Sequence, residues 1–99
     1  MKRIPLRALP NQQCNVVLGG QNCQIDVYQK STGLFLDLRV NNVPVALAVL
    51  CHDRVRLVRE SYSGFNGDLC FMDTMGNEDP SFEGLGTKFL LIYLEAADL

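Results

Sequence analysis

Carboxylates and cationic side chains gather in two places along this chain, and their spacing limits the chemistry they can support. Asp73, Glu78, Asp79 and Glu83 lie in one glycine-punctuated stretch. Oxygen ligands at that density can hold calcium, but an EF-hand loop needs Asp-x-[Asp/Asn]-x-[Asp/Asn]-Gly closed by a glutamate. Asp73-Thr74-Met75-Gly76-Asn77 breaks that spacing at its third position. Paired carboxylates also serve general acid–base work, for which nothing here predicts the separation or burial. Gly84-Leu85-Gly86-Thr87-Lys88 lacks the phosphate-loop spacing and leads into a strand pattern rather than a helix. The second cluster is His52, Arg54 and Arg56, which alternate and have Arg59 close by. Such a stripe is either a solvated face or a docking surface for an acidic patch or for the phosphate backbone of passing DNA. The net acidity and the absence of aromatic residues between the arginines disfavour the last. Nucleophilic catalysis would have to join the single His52 to a cysteine or a serine. Cys51 is its neighbour in sequence, and on a strand the two side chains point to opposite faces. The sequence therefore predicts no catalytic, cofactor-binding or metal-binding residue. It offers His52, Arg54, Arg56, Asp73, Glu78, Asp79 and Glu83 as candidate partner-binding residues.

The elements that must position these groups read as strands. Period-two alternation recurs from end to end, and helical periodicity is nearly absent. Residues 4–9 form a short extended segment between Pro5 and Pro10, suited to an edge strand or an arm. The clearest hairpin joins 14–18 to 21–28 through Gly19-Gly20. On its second strand Cys23, Ile25 and Val27 face one way, and Gln24, Asp26 and Tyr28 the other. A polar turn at 30–33 leads to 34–40, with Leu34, Leu36, Leu38 and Val40 inward. Asn41-Asn42 makes the next turn. Residues 43–51 are the most apolar run, which predicts a central strand or one buried against a partner. A short strand over 55–58 follows, with Val55 and Leu57 inward, and then turn material over 61–66. Strand-like runs at 68–74 and 87–94 flank the acidic connection 75–86, whose length points to a functional loop or a packed Ω-loop. The fold class is all-β: a small single-domain antiparallel β-barrel or sandwich over residues 1–99, with a long acidic Gly-rich loop before the last strand.

Composition narrows the partners. The chain has 99 residues, 47% of them hydrophobic and 20% charged, which suits one modest core rather than disorder. A net charge of −2 argues against a general electrostatic grip on nucleic acid or on an anionic membrane. The apolar runs 43–51 and 89–94 are too short to span a bilayer as helices. The N-terminus lacks the apolar core of a signal peptide, so a soluble protein made in the cytosol is expected. Four cysteines invite a disulfide reading. A Gly19-Gly20 turn pairs Leu18 with Gln21, Val16 with Cys23 and Cys14 with Ile25. Cys14 and Cys23 then lie diagonally, about 7–8 Å apart, outside the usual bridging range. Free thiols are expected, with cross-linking between chains open once the protein leaves the cytosol.

The run Gly-Asp-Leu-Cys-Phe-Met-Asp-Thr-Met-Gly-Asn-Glu-Asp-Pro over 67–80, followed by Gly-Leu-Gly-Thr-Lys-Phe-Leu-Leu-Ile-Tyr-Leu over 84–94, resembles the baseplate plug family of contractile-tailed bacteriophages. Ile4-Pro5-Leu6, Pro10-Asn11-Gln12 and the hairpin around Gly19-Gly20 extend the resemblance over nearly the whole chain. Cys70 and Met72 stand where valine-like residues are expected, and Lys88-Phe89 where Arg-Tyr is, which leaves the apolar strand positions apolar. The resemblance implies a structural virion protein: a plug at the centre of the tail baseplate, contacting hub and tube and helping to close the tail lumen. Its implied partners are the hub and the tube initiator, with the tape measure as a third candidate, and several copies in a symmetric assembly. No membrane, specific nucleic acid or cofactor is implied. The residues by themselves leave open a free-standing small β-barrel that binds a ligand.

Overall fold

The computed structural model describes residues 2–58 and 65–95. Seven strands follow in order: β1 (Lys2–Ile4), β2 (Asn11–Leu18), β3 (Gln21–Lys30), β4 (Gly33–Val40), β5 (Val43–Leu50), β6 (Asp68–Asp73) and β7 (Phe89–Leu94). The one helical turn among the described residues is a 3₁₀ turn over Phe82–Gly84. β2, β3, β4 and β5 form an antiparallel meander in that spatial order, and β1-β7-β6 form a second antiparallel sheet. The sandwich alternative is the one realised.

Turn chemistry sets the meander. Gly19 and Gly20 take φ of 57° and 78°, and Asn41 and Asn42 take 51° and 67°. Two consecutive left-handed residues match the right-handed twist of the strands they join. The hairpin register is the expected one, with Leu18 opposite Gln21, Val16 opposite Cys23 and Cys14 opposite Ile25. Cys23, Ile25 and Val27 of β3 and Leu34, Leu36, Leu38 and Val40 of β4 are buried on one face. They join Leu69, Phe71, Leu91 and Tyr93 from the other sheet in one apolar cluster. Period-two alternation thus places the core between the sheets.

Two expectations are corrected. Residues 43–51 do not form a central strand: β5 is the outer strand of its sheet, and Val43 and Leu47 are 61% and 52% exposed. Its register slips twice against β4, once between Leu36 and Leu38 and once between Leu38 and Arg39. At the first slip Ala48 adopts φ of 52°, and its N–H is taken by the Asp37 carboxylate at 2.6 Å. Such bulges bend a strand away from further regular pairing. Residues 55–58 do not form a strand either. Arg54 sits in the left-handed region at φ 59°, which turns the chain so that 53–57 touches β6 only at single bridges, Asp53 with Phe71 and Arg56 with Cys70. Arg54 N–H donates to the Phe71 carbonyl (2.7 Å) and Leu57 N–H to that of Leu69 (2.9 Å), covering the free edge of β6. Leu57 is buried as expected, whereas Val55 is only half-buried.

The edge strand near the N-terminus is β1, paired with β7; it lies at 2–4 rather than over the expected 4–9, of which only Ile4 is in a strand. Gly67, at φ 110°, opens β6 where a Cβ would overlap the Leu94 carbonyl oxygen. Arg59, most of the 61–66 turn and the tail from 96 lie outside the described residues. Phe65 is buried against the Tyr93 ring, 5.8 Å between centroids.

Candidate partner-binding surface

The turn at 52–54 and the loop after β6 are laced together by the charged residues the sequence singles out. Asp73 closes β6 and is 1% exposed. One carboxylate oxygen accepts the Met75 N–H at 2.8 Å, and the other accepts the Glu78 N–H at 2.9 Å. Aspartate at this offset satisfies a turn's backbone donors, which is why the chain reverses here. Burial pushes the Asp73 carboxyl upward, but those two hydrogen bonds, with Lys88 and Arg54 nearby, outweigh it and leave it below the usual range.

Arg54 spreads its guanidinium over the same loop. Nη1 donates to Asp53 Oδ2 (2.6 Å), Asn77 Oδ1 (3.1 Å) and the Gly76 carbonyl (3.2 Å), and Nη2 to the Asp73 carbonyl (3.2 Å). Asp79 takes the Asp53 N–H at 3.0 Å and meets His52 Nδ1 at 3.1 Å. The Asp53 hydrogen bond first, and His52 second, hold its carboxyl below the ordinary value. Lys88 Nζ donates to Glu78 Oε2 at 2.7 Å and lies 3.9 Å from Asp73. Further along, Phe82 N–H reaches Gln29 Oε1 (3.1 Å), and Gly86 N–H the Phe89 carbonyl (2.9 Å). The connection is a packed Ω-type loop with a fixed path.

The structure thus brings His52, Arg54, Asp73, Glu78 and Asp79 together and separates their tasks. Asp73 is internal, and Arg54 and Asp79 fasten the loop while remaining exposed at its surface. Glu78 and Glu83 are exposed, as is Arg56. Arg54 leaves the expected single-faced stripe because its positive φ breaks the alternation. Three participants were not singled out from the sequence. Asp53 receives the Asp73 N–H at 2.8 Å, Lys88 pairs with Glu78, and Met75 is 76% exposed at the loop's crest. Asp53, beside His52, carried no spacing signal, because its partner is distant in sequence.

His52 meets a carboxylate, and Cys51 turns inward to the Val49 carbonyl (3.7 Å), burial pushing its thiol up to about 12. Among the described residues no three His, Cys, Asp or Glu side chains are grouped as metal ligands, and no helix is long and apolar enough to cross a membrane. All four cysteines are free thiols.

The family described as cyanophage baseplate Pam3 plug gp18 matches residues 1–96. The chain belongs to this baseplate plug family. No curated protein matches it significantly. Membership assigns the chain a structural part in a bacteriophage tail baseplate, in association with other baseplate proteins.

Proposed function

We propose that this baseplate plug protein sits at the centre of a contractile tail's baseplate, contacts the hub and the tube, and helps to close the tail lumen. Its contacts run through the crest of the 73–86 loop and the neighbouring 52–56 turn. The observation that carries this reading is the internal bracing of that loop by Asp73, Arg54 and Asp79. A surface already fixed in shape loses little conformational freedom when a neighbour docks, so more of its contact energy reaches the assembly. Met75, Glu78, Asp79, Glu83, Arg54 and Arg56 present an apolar crest among mixed charges, the composition of an interface with a polar rim. Hub, tube initiator and tape measure are the neighbours proposed, with several copies in a symmetric array and with neither membrane nor specific nucleic acid among the partners.

The test separates contact from folding. Charge reversal at Asp79 or Arg54 disturbs both, because each also fastens the loop. Met75→Ser and Glu83→Lys alter side chains that make no hydrogen bond or ion pair among the described residues. Both variants should melt like the parent and yet leave complementing phage without complete, infectious tails. Normal titres from both would reject the proposed surface.

A further inference from the structure

Strand edges divide sharply in this molecule. β1 is three residues long and is followed by Pro5. The outer edge of β6 is occupied by 53–57. β5 carries Pro44 and two register slips. These are the devices by which sheets avoid joining one another. β2 has none of them. It runs eight residues as Asn-Gln-Gln-Cys-Asn-Val-Val-Leu, without proline or charge, and in unbroken register with β3.

Two hydrogen bonds fix which way its backbone points. Gln29 N–H donates to the Pro10 carbonyl (2.8 Å), and Asn41 N–H to that of Asn22 (2.8 Å). Pro10 therefore faces β3, while Asn22, opposite Val17, faces β4 instead. In an antiparallel ladder this parity alternates, so Asn11, Gln13, Asn15 and Val17 aim their N–H and C=O groups out of the sheet. On the inner face, Gln12, Cys14 and Val16 are only half-buried, whereas Cys23, Ile25 and Val27 beside them are fully buried. Gln12 is held by the Arg7 backbone (Arg7 N–H to Oε1 at 3.0 Å, Nε2 to the Arg7 carbonyl at 2.6 Å), and among the described residues no strand lies beyond Cys14 and Val16.

We propose that β2 pairs antiparallel with β2 of a second copy of this chain, merging two four-stranded sheets into one of eight strands across a two-fold axis. A copy suits this edge on three counts. Regular pairing needs two unguarded edges, and β2 is the one such edge among the described residues. An uncharged strand meets its own copy without like charges opposed. The two half-buried rows also cover each other. The register of fullest overlap sets Asn11 against Val17 and Gln13 against Asn15 of the second copy as hydrogen-bonded pairs. Cys14 then lies opposite the second copy's Cys14 in a non-hydrogen-bonded pair, about 4.5 Å between Cα atoms, within bridging range. The inference rests on β2 alone and does not depend on where the protein sits in a baseplate.

Sedimentation equilibrium of the full chain in reductant should show a dimer that grows with concentration. Asn15→Pro removes an outward N–H and leaves the β2–β3 ladder whole; it should be monomeric with a melting temperature close to the parent's. Gln13→Lys/Asn15→Lys places lysines directly opposite each other and supplies the same test if the proline variant does not fold. Diamide should convert two Cys14 thiols into one intermolecular disulfide, taking up their two protons and two electrons. Cys14→Ser and Asn15→Pro should both abolish that product. A parent chain that stays monomeric up to about 1 mM overturns the proposal, and so does one that pairs through β2 only with a different baseplate protein. A dimer indifferent to Asn15→Pro and to the lysine pair overturns it equally.

Discussion

At the scale of single residues, the carboxylates that fasten the 73–86 loop give the fold a defined acid limit. Asp73 and Asp79 are more acidic in the folded chain than free aspartate. An acid of that kind favours the folded state wherever it is ionised. Its contribution is complete above the unfolded value of about 3.9 and is lost as pH falls through the lower, folded value. The melting temperature should therefore hold near neutrality and fall steeply below about pH 4. Asp73→Asn should lower it at pH 7 and flatten the acid decline; an unchanged acid limb would remove Asp73 as its source. The thiols make a second prediction. Burial raises Cys51 to about 12 from 9.0, which leaves about a thousandfold less thiolate at any pH below both values. Iodoacetamide on the native protein at pH 8 should modify half-buried Cys14 first and Cys51 only after denaturation, as peptide mapping would show.

At the scale of elements, the β2–β3 hairpin, β4 and the Asn41-Asn42 turn could be read from the sequence, because alternation and turn residues act over short distances. β5 could not. Its apolar run reads as a central strand or one buried against a partner, and what places it at an edge is a bulge whose stabilising acceptor, Asp37, lies on another strand. Ala48 carries the cost of the left-handed backbone there. Ala48→Gly should relieve it and raise stability by ~0.5–1 kcal/mol in urea denaturation, with no change in the denaturant slope. Loss of stability would mean that the alanine methyl matters more to packing than the backbone does. The 52–58 segment was illegible for a related reason. Alternation of His52, Arg54 and Arg56 fits a strand, but Arg54 finds its acceptors on the loop after β6 and abandons the pattern. The acidic connection was legible as a long glycine-punctuated loop, while its internal pairing depended on folding around Asp53 and Lys88.

For the whole molecule, one apolar cluster joins the two sheets, and Phe71 is among its largest fully buried side chains. Truncation at such a site costs ~3–5 kcal/mol, against a total of about 5–15 kcal/mol for a typical domain. Phe71→Ala should thus unfold well below the parent in a thermal scan, and both sheets should be lost in a single transition. Two separate transitions would show that the sheets do not share their stability. The ladder that seats Lys2 across from Tyr93 has a consequence for how the polypeptide can be rewired. Head and tail of the described chain run side by side, so the backbone is nearly a closed ring. A short glycine-serine bridge between them, with new ends cut at Ser31-Thr32, should give a permuted protein with the parent's circular dichroism spectrum.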